Sequence, residues 1–181
     1  ETLDPKLNPV YHNATASLFL AYKNGEVVGR VAAIINWIEV KEIKKNKVRF
    51  GWFDFIDDTN VSKTLIEAVI SFGKKHKMET IEGPVGFSNL DKAGLLIEGF
   101  NEPNTIITLY NFPYYSKHLE KLGFNIAAKW VEYEIKIDDF ESSPERVKRF
   151  SKLIMDKYEL TLLNFKKRKG IIIPSKIQFI K

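Results

Sequence analysis

Asp54 lies inside the run Trp52-Phe53-Asp54-Phe55-Ile56, a carboxylate among apolar and aromatic side chains. Apolar neighbours penalise the charged form and raise a carboxyl pKa, which is what a general base near neutrality needs. The same residue could instead pair with Arg30 or Arg49 on a neighbouring strand. Glu82, at the end of Met78-Glu79-Thr80-Ile81-Glu82, invites the same two readings: a base, or an ordinary strand-end carboxylate. Tyr110, Tyr114 and Tyr115 flank Pro113 and could supply an acidic hydroxyl or line a pocket, or they could pack a turn. Asn89 and Asn111 could hold a substrate or cap turns. His76 and His118 read as surface residues of basic helix faces. The three histidines are too dispersed for a metal site, there is no cysteine, and no Ser-His-Asp spacing or phosphate-binding glycine loop occurs.

The elements that must carry these groups follow from periodicity. Residues 17–22 read as a strand, Asn24-Gly25 as a hairpin turn, and residues 26–36 as the return strand, with Gly29 at a bulge or close approach. The polar segment after it reads as a loop, and residues 47–56 as a third, aromatic strand. Asp57-Asp58-Thr59-Asn60 is helix-capping chemistry. Val61, Leu65, Ile66, Val69 and Phe72 then recur at helical spacing. Residues 78–84 read as a short strand, residues 113–124 as a helix closed by Gly123, and residues 125–137 as a long alternating strand. A second amphipathic helix carries Val147, Phe150, Leu153 and Ile154, and strand fragments follow it. The predicted class is α/β, a mixed sheet with helices on its faces.

Between the short strand and the helix of residues 113–124 lies an unusual segment, residues 83–115. It holds four of the ten glycines and three of the seven prolines, yet it is rich in Leu, Ile, Phe and Tyr. That composition predicts an ordered pocket wall or lid, with Leu95, Leu96, Ile97, Phe100, Ile106, Ile107 and Leu109 packed over the sheet. Tyr110 and Asn111 would then face the acceptor side.

The chain has 181 residues, a net charge of +5 and a pI near 9.2, which favours anionic partners. No apolar run reaches the length of a membrane span, so no membrane partner is expected, and the absence of cysteine fits a cytoplasmic location. The aromatic third strand beside lysines also admits nucleic acid, against which stands the preference of aromatics for half-buried strands.

The element order, the hairpin Phe19-Leu20-Ala21-Tyr22-Lys23-Asn24-Gly25-Glu26-Val27-Val28-Gly29-Arg30 and the ending Glu120-Lys121-Leu122-Gly123-Phe124 resemble the GNAT superfamily of acyl-CoA-dependent N-acyltransferases. The resemblance covers residues 16–137 and implies a GNAT-like domain over residues 1–140 with an insert at residues 85–112. A linker helix and the start of a further domain would occupy residues 141–181, both ends of the chain being cut. In that family a bulge splays two parallel strands, here residues 47–56 and 78–84, and the pantetheine arm of acyl-CoA enters the gap. The resemblance therefore assigns cofactor contacts to Phe55, Ile56, Asp57, Thr59, Asn60, Val61, Ser62 and Lys63. It assigns catalysis to Asp54, Glu82, Tyr110 and Tyr115, and substrate contacts to Asn89, Asn111 and Tyr114. The co-substrate would be acetyl-CoA or another acyl-CoA without a metal, and the acceptor a small-molecule amine or a peptide. Two departures favour an alternative, a non-catalytic ligand-binding or domain-packing module. No glycine stands between Gly51 and Gly73, where the family has its pyrophosphate loop, and Leu119 replaces the family's acidic tyrosine.

Overall fold

The computed structural model describes residues 2–88, 90–105, 108–134 and 144–160. The chain divides into two compact units, residues 1–128 and 129–181. In the first, β1 (Ala14–Lys23), β2 (Glu26–Asn36) and β3 (Lys47–Phe55) form an antiparallel meander, and β4 (Thr80–Glu82) adds to β3 in parallel, in the order β1-β2-β3-β4. The class is therefore α/β with a mixed sheet. The hairpin turn forms at Asn24 and Gly25 with φ of 53° and 85°, the doubly left-handed turn that matches strand twist. Register slips opposite Ala21 and Tyr22, so one extra residue, Val28, bulges beside Gly29.

α1 (Trp37–Lys41) occupies the segment expected to be a loop. The reason is local: the Asn36 side chain accepts the Ile38 and Glu39 N–H groups, capping a turn that packs Trp37 and Val40 against the main core. α2 (Thr59–Lys75) is capped by Asp58 and lays Val61, Leu65, Ile66, Val69 and Phe72 on one sheet face. There they meet Val31, Ala33, Ile35, Val48, Phe50, Phe53 and Phe55, together with Tyr115 and Leu119 of α3 (Tyr114–Lys121). Ala14, Ala32, Ile34 and Phe87 make a smaller core that also involves Tyr11 and Trp52.

Phe87 belongs to the segment that follows β4. The Val85 N–H donates to the Phe50 carbonyl at 2.7 Å, and the Arg49 guanidinium donates to the carbonyls of Gly86 and Phe87 at 3.1 and 3.2 Å. The crossing is so close that a Cβ on Gly51 would stand 2.6 Å from the Val85 carbonyl oxygen. Leu95 reaches the main core, whereas Ile97 and Leu109 stay exposed, and Ile106 and Ile107 lie outside the described residues.

The expected strand over residues 125–137 is not formed where it is described: residues 125–134 enter no ladder. Alternating apolarity makes a strand only when a neighbouring strand accepts its backbone, and here Trp130, Val131 and Tyr133 are solvent-exposed on both of its faces. In the second unit α4 (Glu145–Lys157) forms as its periodicity requires. The strand fragments predicted after it lie outside the described residues. No helix among the described residues is long and apolar enough to cross a membrane.

Candidate functional site

β3 carries a second irregularity. Arg30 pairs with Asp54 but Ala32 pairs with Gly51, so Trp52 and Phe53 together oppose Val31. Trp52 takes φ of 47°, a left-handed conformation rare for a bulky residue and a mark of local strain. β4 pairs only as far as Arg49 with Glu82, and the chain then turns away at Gly83-Pro84. From the bulge to Phe55, the edge of β3 that faces away from β2 therefore has no parallel partner among the described residues.

Two tyrosines of α3 fill its end. Tyr114 Oη donates to the Phe55 carbonyl at 2.6 Å, and the Phe55 N–H donates to Tyr115 Oη at 3.4 Å. Burial pushes the Tyr115 phenol up to about 12 against the opposing effect of the Phe55 hydrogen bond, and burial together with the Asp57 charge raises Tyr114. Phe55 and Tyr115 are buried and their rings lie 4.4 Å apart, so the hydroxyls are aimed by packing.

The turn that follows ends in carboxylates. Asp58 caps α2 through the Asn60 N–H at 2.9 Å and pairs with Lys23 at 2.8 Å; the Lys23 hydrogen bond, then the Asn60 N–H, hold it below its ordinary value. Asp57 meets His118 Nε2 at 2.9 Å, while His118 Nδ1 lies 2.8 Å from Ser62 Oγ. Ser62 Oγ is also 3.1 Å from the Thr59 carbonyl. This corrects the surface reading of His118: it is buried between α3 and the first turn of α2. No local spacing announces the trio, because His118 stands 56 residues from Ser62. Ser62 is fully buried, so the group works as a clamp and not as a nucleophile. With a neutral ring the serine hydroxyl serves Nδ1; with a charged ring it accepts from Nδ1–H and turns to Thr59.

The remaining residues fall as follows. Asp54 pairs with Arg30 at 2.7 Å and is half exposed. Glu82 pairs with Lys47, which also reaches Glu39 at 3.1 Å, within the buried network of Arg49. Val61 is packed in the core, and Lys63 lies 3.9 Å from Glu67 on the exposed helix surface. Thr59 and Asn60 are spent on the first turn of α2 through their carbonyls, which accept from Ser62 and Thr64. Ile56 is exposed beside Phe55. Asn111 is buried and holds the Leu96 N–H and the Leu96 and Phe112 carbonyls, so its amide organises the insert and does not face a substrate. Tyr110 is exposed, and Asn89 lies outside the described residues. No group of three or more His, Asp or Glu among the described residues is placed to hold a metal.

Two curated proteins are similar to the chain. One is Protein YghO of Escherichia coli (strain K12), 30% identical over 137 residues, which are 76% of this chain and 35% of that protein. The other is the bacterial ceramide synthase of Caulobacter vibrioides (strain NA1000 / CB15N), 29% identical over 154 residues, 82% of this chain and 40% of that protein. The chain thus spans about two fifths or less of the length of these relatives. No family profile and no solved structure matches it.

Proposed function

We propose that this chain belongs to an N-acyltransferase of GNAT-like architecture that joins an acyl group from a CoA thioester to the amine of a long-chain amino alcohol. The observation that carries the reading is the bulge at Trp52 and Phe53 combined with the early end of β4. Together they leave the Phe55 edge of β3 without a strand partner among the described residues, held by the Tyr114 and Tyr115 hydroxyls that an extended thioester arm would displace beside the start of α2. The acceptor class comes from the likeness to the ceramide synthase, since a ceramide is an N-acylated long-chain amino alcohol. In the transfer the neutral amine nitrogen attacks the thioester carbonyl and a carboxylate, Asp54 or Glu82, takes the proton that the nitrogen gives up. The C–S bond breaks, a tyrosine hydroxyl gives its proton to the thiolate, and the proton held by the carboxylic acid passes through solvent to the tyrosinate. On this reading the reaction is cytoplasmic.

A second reading, a non-catalytic ligand-binding or domain-packing module, is favoured by one specific arrangement. The Phe55 edge is already held by Tyr114 and Tyr115, and Asp57 and Asp58 set negative charge where a pyrophosphate would sit. Calorimetric titration of the chain with CoA, acetyl-CoA and dodecanoyl-CoA, alongside mass-spectrometric detection of N-acyl product from sphinganine, separates the two. Thioester binding with amide product is the expected result. No binding at millimolar thioester overturns the transferase reading for this chain.

A further inference from the structure

Two groups of lysines that stand far apart in the chain meet at one end of the sheet. Lys41, Lys44 and Lys45 lead from α1 into β3, and Lys74, Lys75 and Lys77 lead from α2 into β4. Because β3 and β4 are parallel, both segments enter the sheet from the same end. Asn46 ties them together: its carbonyl accepts the Glu79 and Thr80 N–H groups at 2.8 and 3.2 Å, and its amide donates to Glu79 Oε1 at 3.1 Å. The Trp37 and His76 rings add an edge-on contact at 6.2 Å.

All six lysines are exposed, and among the described residues none of them forms an ion pair. Glu39 is taken by Arg49 and Lys47, which leaves Glu42 and Glu79 as the carboxylates of these two segments against six cations. Lys44 and Lys77 have φ of 59° and 62°, a conformation that glycine takes without cost and lysine does not. Lys77 follows the cap of α2, where glycine is the usual choice. Lysines set against local backbone preference, in a cluster poor in counter-charge, point to a role outside the stability of the fold. In the same surface Ile38 and Ile43 are 41% and 56% exposed, whereas Trp37 and Val40 pack on the core. Aliphatic side chains among lysines suit the boundary between lipid headgroups and acyl chains. Stacking on nucleic-acid bases needs exposed rings, and Trp37 is turned inward.

We propose that this end of the sheet docks on the surface of an anionic phospholipid bilayer, with the lysines at the headgroup phosphates and Ile38 and Ile43 at the acyl boundary. Such docking lies on the membrane and needs no spanning helix, so the lack of a spanning apolar run does not bear on it. The surface is opposite the candidate site. α2 runs from Thr59, beside Phe55, to Lys75, and its 17 residues at ~1.5 Å each separate its two ends by about 25 Å. The docking is therefore independent of the transfer reading and survives its failure.

The test is co-sedimentation of the full chain with vesicles of phosphatidylcholine alone and of phosphatidylcholine containing one third phosphatidylglycerol. Binding should require the anionic lipid and be lost in molar salt. Lys44→Gln with Lys45→Gln, and Lys74→Gln with Lys75→Gln, should each lower vesicle affinity about tenfold or more, and Ile43→Ser about threefold. Lys117→Gln with Lys121→Gln removes the same charge from exposed positions of α3 and should change affinity less than about threefold. Lys77→Gly should melt higher, since glycine accepts the positive φ, and still bind the vesicles more weakly. Unaltered melting of the Lys→Gln pairs checks that their fold is intact. No binding to the anionic vesicles overturns the proposal. So does an α3 pair that weakens binding as much as the other two pairs, which makes overall charge the cause. Tighter binding to a short RNA than to the vesicles, lost in the same lysine variants, also overturns it and assigns the surface to nucleic acid.

Discussion

The Tyr114 hydroxyl donates to the Phe55 carbonyl at 2.6 Å, on the edge of β3 that β4 leaves without a partner. A side chain thus completes a ladder position that backbone would complete in a longer sheet. Tyr114→Phe keeps the ring and its stack on Phe112 but removes the donor. A loss of about 1 kcal/mol is expected, read as a lower urea midpoint at unchanged slope. The same variant should bind acyl-CoA more tightly than wild type, because the Phe55 carbonyl is released.

Tyr115 gives the alkaline limb of stability a defined cause. Its folded value is pushed up to about 12 from an ordinary 10.0, chiefly by burial. Between those values the unfolded chain has lost the proton and the folded one keeps it, so stability falls as pH rises. The full effect is on the order of 2–3 kcal/mol. Tyr115→Phe should flatten the fall in stability between pH 10 and 12, measured by denaturant unfolding at each pH, even though it removes the contact to the Phe55 N–H.

His118 joins α3 to the first turn of α2 through Ser62 and Asp57. His118→Leu leaves the buried Ser62 hydroxyl with only the Thr59 carbonyl and should cost about 2–3 kcal/mol, against about 1 for Ser62→Ala. Asp57→Asn should cost less than either, since its side chain is 65% exposed. Thermal or urea unfolding of the three variants checks the order.

Arg49 is buried with Glu39 and also holds Gly86 and Phe87. Arg49→Met leaves Glu39 with Lys47 as its remaining charged partner and frees two carbonyls, so a loss of about 2–4 kcal/mol is expected, with hydrogen exchange speeding up across residues 84–88. Burial opposes ionisation of Glu39, but hydrogen bonds and charges from Arg49 and Lys47 outweigh it and hold the carboxyl below its ordinary 4.5. A depressed carboxylate stabilises the fold fully above that ordinary value and stops doing so as pH falls through the folded one. Glu39→Gln should therefore be less sensitive to acid below about pH 4.5 than wild type, as followed by unfolding at stepped pH.

The two carboxylates proposed as base separate by their partners. Asp54 meets a half-exposed Arg30, and Glu82 meets Lys47 inside the Arg49 network. Asp54→Asn should reduce N-acyl turnover by about 10²–10⁴-fold if it is the base, with stability nearly unchanged. Glu82→Gln should lower stability as well. Unchanged turnover in both removes the assignment.

Much of the framework is legible in the sequence because it is local. Asn24-Gly25 specifies its turn through positive φ, Asp58 its cap, and the 3.6-residue spacing from Val61 to Phe72 the buried face of α2. The return strand read over residues 26–36 has the bounds of β2, Glu26–Asn36. Alternation over residues 125–134 is equally clear yet yields no strand there, since pairing depends on a partner that local sequence does not name. Only the tertiary structure decides the site. The bulge at Trp52 is a matter of register between strands, and the meeting of Tyr114 with Phe55 spans 59 residues. His118 is an exposed helix residue by local pattern and becomes a buried clamp because α3 packs on the start of α2. The insert's composition announces an ordered wall, but which of its residues turn inward is set by Asn111 reaching Leu96, a contact across 15 residues that commits Tyr110 and Phe112 to the surface.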